Sequence, residues 1–295
     1  WGYSLIVKLG GYLVRDSDAF IINSYLPKKQ EINLQLALGQ FPQLWRAPKL
    51  DVIEKPDCIL RKKLANQFLS KSDDNLGDIL GVMAFELLPV CYLEGFSNID
   101  KLVKQQPWPK SPKFIFTSSN FETDEVFKLW AATKVESGIT YITGQHGNNY
   151  GTYRYMDSTI EEVTADKFIT WGWTDGLPQH TPAFIFKTSG QKTGHYNQQG
   201  GLLLIELCHS GRDSKWDRSY EFLGYFKEQL DFVGKLIKVP KKLLTIRLHQ
   251  PHTFPLGCEI SRWQTFDDTI RLEFSMNISV LIAQSRLVVY SYDST

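Results

Sequence analysis

Residues 140–155 combine the side chains of this sequence that are best suited to binding a ligand and acting on it. Three glycines in the segment, Gly144, Gly147 and Gly151, would let the backbone turn sharply and approach a ligand closely. Amide, imidazole and guanidinium groups stand around these glycines and can form hydrogen bonds or bind a phosphate or carboxylate. The side chains concerned are those of Gln145, His146, Asn148, Asn149 and Arg154. They predict a ligand-binding loop, and the alternative is a tight polar turn whose histidine has only a structural role.

The segments around this loop alternate between apolar runs and amphipathic stretches, which is typical of parallel βαβ units. The predicted strands are 113–117, 140–143 and 167–171, and the predicted helices are 122–137 and 159–165. Ligands bind beyond the carboxyl ends of the strands in such sheets. We therefore expect Ser119 and Asn120, which follow the first of these strands, to bind substrate beside the glycine-rich loop.

A second series with the same alternation begins at Gly201. Its predicted strands are 201–207, 243–248 and 286–290, and its predicted helices are 216–236 and 274–284. The segment between the two series, 176–200, is rich in Gly, Pro, Gln, Thr and Asn and predicts a connector. The sequence thus predicts an α/β protein with two Rossmann-type, doubly wound domains that face each other across a cleft. We place the N-terminal domain at 1–180, a linker at 181–200 and the C-terminal domain at 201–295.

Basic and hydroxyl side chains lie at or near the strand ends of the second series. Guanidinium groups, an imidazole and adjacent hydroxyls in front of a helix start are suited to the phosphate of a nucleotide. The candidates for nucleotide binding are Arg212, Arg247, His249, Ser294 and Thr295. The alternative for Arg247 is an exposed arginine at a strand end, and for His249 a surface histidine with a structural partner.

Length and composition limit the class of protein. With 295 residues, of which 42% are hydrophobic, the chain can bury a sizeable core and form two domains. A net charge of +1 gives no reason to expect nucleic acid as a partner. The four cysteines lie far apart without a CxxC pair, which favours free, mostly buried thiols in a reducing compartment, and the sequence has neither a secretory pattern nor a membrane-spanning run. We therefore expect a cytoplasmic protein.

Several common motifs of catalysis are absent from the sequence. There is no GxxxxGK[ST] phosphate loop, no GxGxxG after a strand and no GxSxG nucleophile motif. The six histidines are scattered without HxxxH spacing, and acidic pairs such as Glu161-Glu162 are typical of solvated helix ends. The sequence thus predicts neither a metal nor a cofactor.

Three segments, 144–154, 165–173 and 285–295, resemble those of a bacterial family of surface-carbohydrate transferases. That family is distantly similar to the Kdo transferases of capsule and O-antigen synthesis. The resemblance covers roughly residues 80–295. It implies a GT-B-like architecture, a nucleotide-sugar donor of the CMP-linked kind held mainly by the C-terminal domain, and no metal.

The resemblance also implies roles for individual residues. Ser294 and Thr295 match a hydroxyl pair before a helix, which would receive the donor phosphate, and His146 matches a loop that faces the cleft. The run 249–252 (His-Gln-Pro-His) departs from the His-Pro pair that contacts the nucleotide phosphate in related Kdo- and sialic-acid-transferring enzymes. Since the sequence starts without methionine and stops where the helix after Thr295 should begin, we expect a fragment with an incomplete C-terminal domain.

These observations favour a metal-independent glycosyltransferase that moves Kdo or a related acidic sugar to a bacterial surface polysaccharide. His146 would act on the sugar or acceptor, with Glu122 as the carboxylate candidate, although a carboxylate at a helix start more often only compensates the helix dipole. The alternatives are a non-catalytic glycan- or nucleotide-binding module and a GT-B-type nucleotide-sugar epimerase. The expected partners are a nucleotide-sugar donor, a glycan acceptor and, by peripheral association, the inner membrane.

Overall fold

The computed structural model of the protein describes residues 13–51, 54–69, 75–147, 150, 159–191, 194, 197–206, 218–236, 243–248 and 257–290. The chain divides into two compact units. The first comprises Trp1–His146 and Tyr153–Gln191, and the second comprises Gly147–Thr152 and Lys192–Thr295. Each unit is built on one parallel β-sheet flanked in sequence by helices, which confirms the α/β class.

The first sheet has five parallel strands in the order β1-β2-β3-β4-β5. They are β1 (Phe20–Ile22), β2 (Ile115–Thr117), β3 (Tyr141–Gly144), β4 (Lys167–Thr170) and β5 (His180–Pro182). The predicted strands at 113–117, 140–143 and 167–171 are confirmed. Strand β5 lies in the segment that was predicted to be a connector. It was not recognised as a strand because it is short and contains a proline, which a sheet tolerates only at its edge.

Six α-helices belong to the described part of the first unit. They are α1 (Lys28–Ala37), α2 (Cys58–Leu69), α3 (Asn75–Leu87), α4 (Phe96–Gln105), α5 (Glu125–Glu136) and α6 (Ile160–Thr164). Helix α5 begins later than predicted, because Asp124 caps it by accepting a hydrogen bond from the backbone N–H of Phe127 at 3.0 Å. Glu122 therefore lies in the turn before the helix and not at its start. Among the described helices of the whole chain, none is long and apolar enough to cross a bilayer.

Aromatic packing fixes β1 against helix α5. The ring of Phe20 lies 4.5 Å from that of Trp130 and 5.1 Å from that of Trp108, measured between centroids, and all three side chains are buried. Helix α5 also buries Val126 and Phe127 against this cluster. Since aromatic side chains bury large apolar areas, this cluster holds in place the strand and the helix that adjoin the polar turn after β2.

The second sheet has four parallel strands in the order β8-β7-β6-β9. They are β6 (Gly201–Ile205), β7 (Leu244–Arg247), β8 (Arg271–Glu273) and β9 (Ser285–Tyr290), and the helices of this unit are α7 (Arg218–Gly234), α8 (Gly257–Phe266) and α9 (Ile278–Gln284). The order reverses at β6, since β7 and β8 continue to one side and β9 pairs on the other. This is the switch point of a doubly wound sheet.

The predicted doubly wound order is found in the second sheet only. In the described part of the first unit the strands follow chain order from β1 to β5, so that sheet contains no reversal. Strand β8 and helix α8 were not predicted from the sequence. Helix α8 leads into β8, which pairs in parallel with β7, so both elements continue the predicted alternation of strands and helices.

Candidate functional site

The first sheet brings several predicted site residues to one edge. Because all five strands are parallel, the residues that follow each strand meet at the carboxyl edge of the sheet. Ser119 and Asn120 follow β2, and Gln145 and His146 follow β3. Strands β2 and β3 are direct neighbours, with Thr117 opposite Thr143. The structure therefore places these four residues on adjacent strand ends, as the sequence predicts.

His146 and Glu122 form an ion-pair contact at this carboxyl edge. Nε2 of His146 lies 3.1 Å from Oε1 of Glu122. Their side chains are 24% and 50% exposed, so a ligand can approach both. Glu122 is held by its backbone N–H, which donates to the carbonyl oxygen of Ser119 at 3.1 Å. A histidine that contacts a carboxylate can take up and release a proton while the carboxylate stabilises its charged form.

Two aromatic rings flank the imidazole. The ring centroids of Tyr25 and Phe121 lie 6.1 Å and 6.2 Å from that of His146. Nζ of Lys187 stands 4.7 Å from the centroid of Tyr25, on the face of its ring. None of these three residues was predicted from the sequence. Tyr25 and Lys187 come from segments distant in the sequence, and the fold of the first unit brings Tyr25 to His146 and Lys187 to Tyr25.

Gln145 points its side chain into the protein. Its Oε1 accepts hydrogen bonds from the backbone N–H of Trp171 and from Nε1 of Trp173, both at 2.8 Å. Its own backbone N–H donates to the carbonyl oxygen of Ile169 at 2.9 Å. The side chain is buried. Gln145 thus joins the loop that carries His146 to the loop after β4, which is a positioning role.

Asn120 has a comparable position on the other side of the site. Its Oδ1 accepts from Nδ2 of Asn23 at 2.7 Å, and its Nδ2 donates to Oδ2 of Asp124 at 2.9 Å. The side chain is buried, whereas the neighbouring Ser119 is half-buried. Asn120 therefore connects the loop after β1 to the cap of helix α5. Three predicted substrate-binding residues, Asn148, Asn149 and Arg154, lie outside the described residues.

The second sheet carries Arg247 at the end of β7. Its Nη1 donates to the carbonyl oxygen of Leu248 at 2.8 Å and to that of Glu273 at 3.3 Å. The guanidinium group thereby links the carboxyl ends of β7 and β8. The other predicted nucleotide-binding residues, Arg212, His249, Ser294 and Thr295, lie outside the described residues.

Glu206 is a buried acid at the switch point of the second sheet. It follows β6 directly, and its backbone N–H donates to the carbonyl oxygen of Arg247 at 3.1 Å. Its Oε1 accepts from Nε1 of Trp263 at 3.0 Å. Burial, together with the negative charge of Glu259, raises the pKa of Glu206 to about 8, although the hydrogen bond from Trp263 opposes the rise. The signal in the sequence is a lone acid at the end of an apolar run.

A buried histidine fixes the loop between β4 and β5. Nδ1 of His180 lies 2.7 Å from Oδ1 of Asp175, and its Nε2 lies 3.5 Å from Oε1 of Glu162. The backbone N–H of Leu177 and then His180 itself lower the pKa of Asp175. Glu161 and Glu162 are buried rather than solvated. Glu162 also accepts from the backbone N–H of Thr159 at 2.7 Å, which completes the capping box of α6.

Metal-binding groups are not found in the described ranges: there, no three His, Cys, Asp or Glu side chains are placed to hold an ion together. The described thiols of Cys58 and Cys91 are free, but Cys58 is exposed. The apolar residues beside Cys58 predict a buried thiol. The side chain is exposed instead, at the first turn of α2.

Two parallel α/β units, one of which presents a histidine–carboxylate pair beyond its strand ends, define a Rossmann-like protein with an enzyme-like site. A family model described as LIC12162 family transferase matches residues 4–295. The chain therefore belongs to the LIC12162 family of transferases. Membership confirms the transferase class that the sequence motifs imply. A comparison with curated proteins found no match.

Proposed function

We propose that this transferase is a metal-independent glycosyltransferase of GT-B-like architecture. It moves Kdo or a related acidic sugar from a CMP-linked donor to a bacterial surface polysaccharide. The observation that supports the proposal most is the 3.1 Å contact between Nε2 of His146 and Oε1 of Glu122 at the carboxyl edge of a parallel sheet. Membership of a transferase family supports group transfer rather than binding alone.

His146 acts as the general base in the proposed reaction. With the ring proton on Nε2, donated to Glu122, Nδ1 is the basic nitrogen. An acceptor hydroxyl attacks the anomeric carbon of the donor sugar, and its proton passes to Nδ1. The bond between the anomeric carbon and the phosphate oxygen breaks, and the nucleotide monophosphate leaves. Glu122 stabilises the imidazolium that forms, which is the usual role of a carboxylate beside a catalytic histidine.

The second unit holds the donor in this proposal. Its sheet has the strand reversal at which α/β proteins bind nucleotides. Arg247 stands at the carboxyl end of β7, which pairs with β6, and the predicted partners Arg212, His249, Ser294 and Thr295 belong to the same unit. Positive groups there would stabilise the charge of the leaving phosphate. The predicted domains 1–180 and 201–295 then correspond to the acceptor and donor sides.

The proposed setting is the cytoplasmic face of the inner membrane, reached by peripheral association, where surface glycans are assembled from nucleotide sugars. Neither a nucleic acid nor a cofactor has a place in the reaction. The glycan acceptor and the nucleotide sugar are the two substrates.

A donor screen tests the proposal. The purified protein is incubated with CMP-Kdo, CMP-sialic acid, UDP-glucose and GDP-mannose, with and without capsule oligosaccharides, and products are resolved by chromatography and mass spectrometry. We expect release of CMP together with an oligosaccharide longer by one acidic sugar. Isomerisation of a nucleotide sugar without release of nucleotide would indicate an epimerase instead. Binding with no turnover of any donor would indicate a binding module.

A further inference from the structure

Three side chains at the carboxyl edge of the first sheet have no task in the proton transfer. Tyr25 and Phe121 present half-buried rings near His146, with centroids 6.1 Å and 6.2 Å from that of the imidazole. Lys187 is exposed and lies over the Tyr25 ring at 4.7 Å. Within the described ranges, no carboxylate stands within ion-pair distance of Lys187. These residues form what we call the aromatic–lysine cluster: Tyr25, Phe121 and Lys187.

The position of Lys187 relative to β3 is fixed by its neighbour Phe186. Phe186 is buried and packs edge-on against Phe116 of β2, with centroids 5.8 Å apart. It lies so close to Gly144 that a Cβ at that glycine would collide with its ring. Since Gly144 ends β3 and His146 follows two residues later, the segment that carries Lys187 is anchored to the strand that carries the histidine.

The position of Tyr25 is fixed as well. Its backbone has φ of 59°, a left-handed conformation that is uncommon for an aromatic residue. The side chain of Ser24 holds this turn by accepting from the backbone N–H of Leu26 at 3.2 Å, and the hydroxyl of Ser118 donates to the carbonyl oxygen of Ser24 at 3.2 Å. Unfavourable backbone conformations of this kind persist only where the surrounding structure enforces them, and they concentrate at binding sites.

We propose that the aromatic–lysine cluster is the acceptor subsite and that it selects an anionic carbohydrate. This inference rests on the proposed function only where it assigns the bound sugar the role of acceptor. The rings of Tyr25 and Phe121 offer flat apolar faces for the C–H face of a sugar ring beside the base. Lys187 supplies the positive charge for a carboxylate or phosphate on that sugar. A sugar held in this way presents its hydroxyl to His146.

Binding of simple sugars, without any donor, tests the subsite. Affinities of the purified protein for glucuronate, glucose 6-phosphate and methyl glucoside are measured by calorimetry or ligand-observed NMR. We expect at least one of the two anionic sugars to bind about tenfold more tightly than the neutral one, as a charge-assisted contact would give. The tighter of the two identifies the acid as carboxylate or phosphate. Equal binding of all three sugars would overturn the proposal.

Variants assign the preference to the cluster. Lys187→Gln should remove the preference for anions, and Lys187→Arg should retain it. Lys167→Gln is the matched control, because Lys167 is also exposed but stands at the amino end of β4, away from the carboxyl edge of the sheet. The role of the aromatic ring is tested with Tyr25→Asn, because asparagine tolerates the left-handed backbone at this position. This variant should bind all three sugars more weakly, whereas Tyr25→Phe should bind them as the wild type does. A Lys187→Gln protein that still prefers anionic sugars would overturn the proposal.

The subsite and the glycosyltransferase can fail separately. If Lys187-dependent binding of an anionic sugar is found but no donor is turned over, the subsite stands and the proposed function falls. If glycosyl transfer is observed and the KM for a charged acceptor does not change in Lys187→Gln, the proposed function stands and the subsite falls.

Discussion

Oε1 of Gln145 accepts a hydrogen bond from Nε1 of Trp173 at 2.8 Å, and this bond joins segments 144–154 and 165–173, two of the three motifs on which the resemblance to a transferase family rests. The same oxygen also accepts from the backbone N–H of Trp171. The loop after β3 and the loop after β4 therefore share one acceptor. A buried amide used in this way determines where His146 is held, without needing to contact a ligand.

The shared acceptor predicts a cost in stability. Gln145→Leu leaves the two donors of Trp171 and Trp173 without this oxygen in a partly buried environment, so we expect the free energy of unfolding to fall by about 1–3 kcal/mol. Urea denaturation measures it. Trp173→Phe is the control, since it removes one donor and leaves the other paired, and its cost should be smaller. Equal stability of Gln145→Leu and the wild type would show that the oxygen is dispensable.

His146→Gln separates catalysis from structure. The substitution keeps a polar group but removes the titratable one, so turnover should fall by about 10²-fold or more while donor affinity hardly changes. Glu122→Gln should lower turnover less, by about fivefold, because Glu122 is half exposed and solvent screens its charge. The measurement pairs a glycosyl-transfer assay with a thermal melt. Normal turnover in a less stable His146→Gln protein would mean that the histidine is structural.

Glu206 predicts a pH dependence of stability. Its pKa is about 8 in the folded protein, against an ordinary value of 4.5 that applies to the unfolded chain. Between these values the folded state holds a proton that the unfolded state has lost, so stability falls as pH rises from 4.5 to 8 and levels off above 8. The slope contributed by Glu206 is up to about 1.4 kcal/mol per pH unit.

Urea denaturation at pH 5.5, 6.5, 7.5 and 8.5 measures that slope in the wild type and in Glu206→Gln. The variant should lose this contribution and be the more stable protein at pH 8.5. Glu259→Gln should lose part of it, since the Glu259 charge adds to the raised pKa. Parallel stability curves for the wild type and Glu206→Gln would mean that Glu206 titrates normally.

Nucleotide binding by the second unit is tested by thermal shift. A cytidine nucleotide should stabilise the protein more than adenosine or guanosine nucleotides, because binding to the folded state alone raises the melting temperature. Arg247→Ala should abolish most of this increase. It should also lower the melting temperature without ligand, since Nη1 bonds to the carbonyl oxygens of Leu248 and Glu273. Each variant is therefore compared with its own ligand-free melt.

Arg271→Ala serves as the control in that experiment. Arg271 belongs to the same unit but stands at the beginning of β8, away from its carboxyl end. The Arg271→Ala variant should show the same nucleotide-dependent increase in melting temperature as the wild type. Equal increases with all three nucleotides would contradict a cytidine-linked donor.

Strands and helices with long periodic runs were predictable from the sequence, because burial of an apolar face leaves a periodic pattern. Helix α1 was missed, since Lys28–Ala37 is largely polar, and β5 was missed because it has only three residues and ends in Pro182. The start of α5 was placed at Glu122, because Glu122, Asp124 and Glu125 can all stand at a helix start. Only the geometry shows that Asp124 is the cap.

Some features of the candidate site could likewise be predicted from the sequence, and others could not. Local spacing predicted that Asn120 and His146 lie at adjacent strand ends, because parallel strands align their carboxyl ends. It did not predict that Gln145 and Asn120 point inward, nor that Tyr25 approaches His146 and Lys187 approaches Tyr25. Those contacts depend on side-chain packing between segments far apart in the chain, which leaves no periodic signal.

The close approach of Phe186 to Gly144 has an evolutionary consequence. A side chain at position 144 can be accommodated only if the ring at position 186 is replaced by a smaller group or displaced. Displacing that ring would also shift the lysine beside it. Among homologous sequences, residues 144, 186 and 187 should therefore change together, so that the loss of the glycine coincides with a change in the lysine beside that ring.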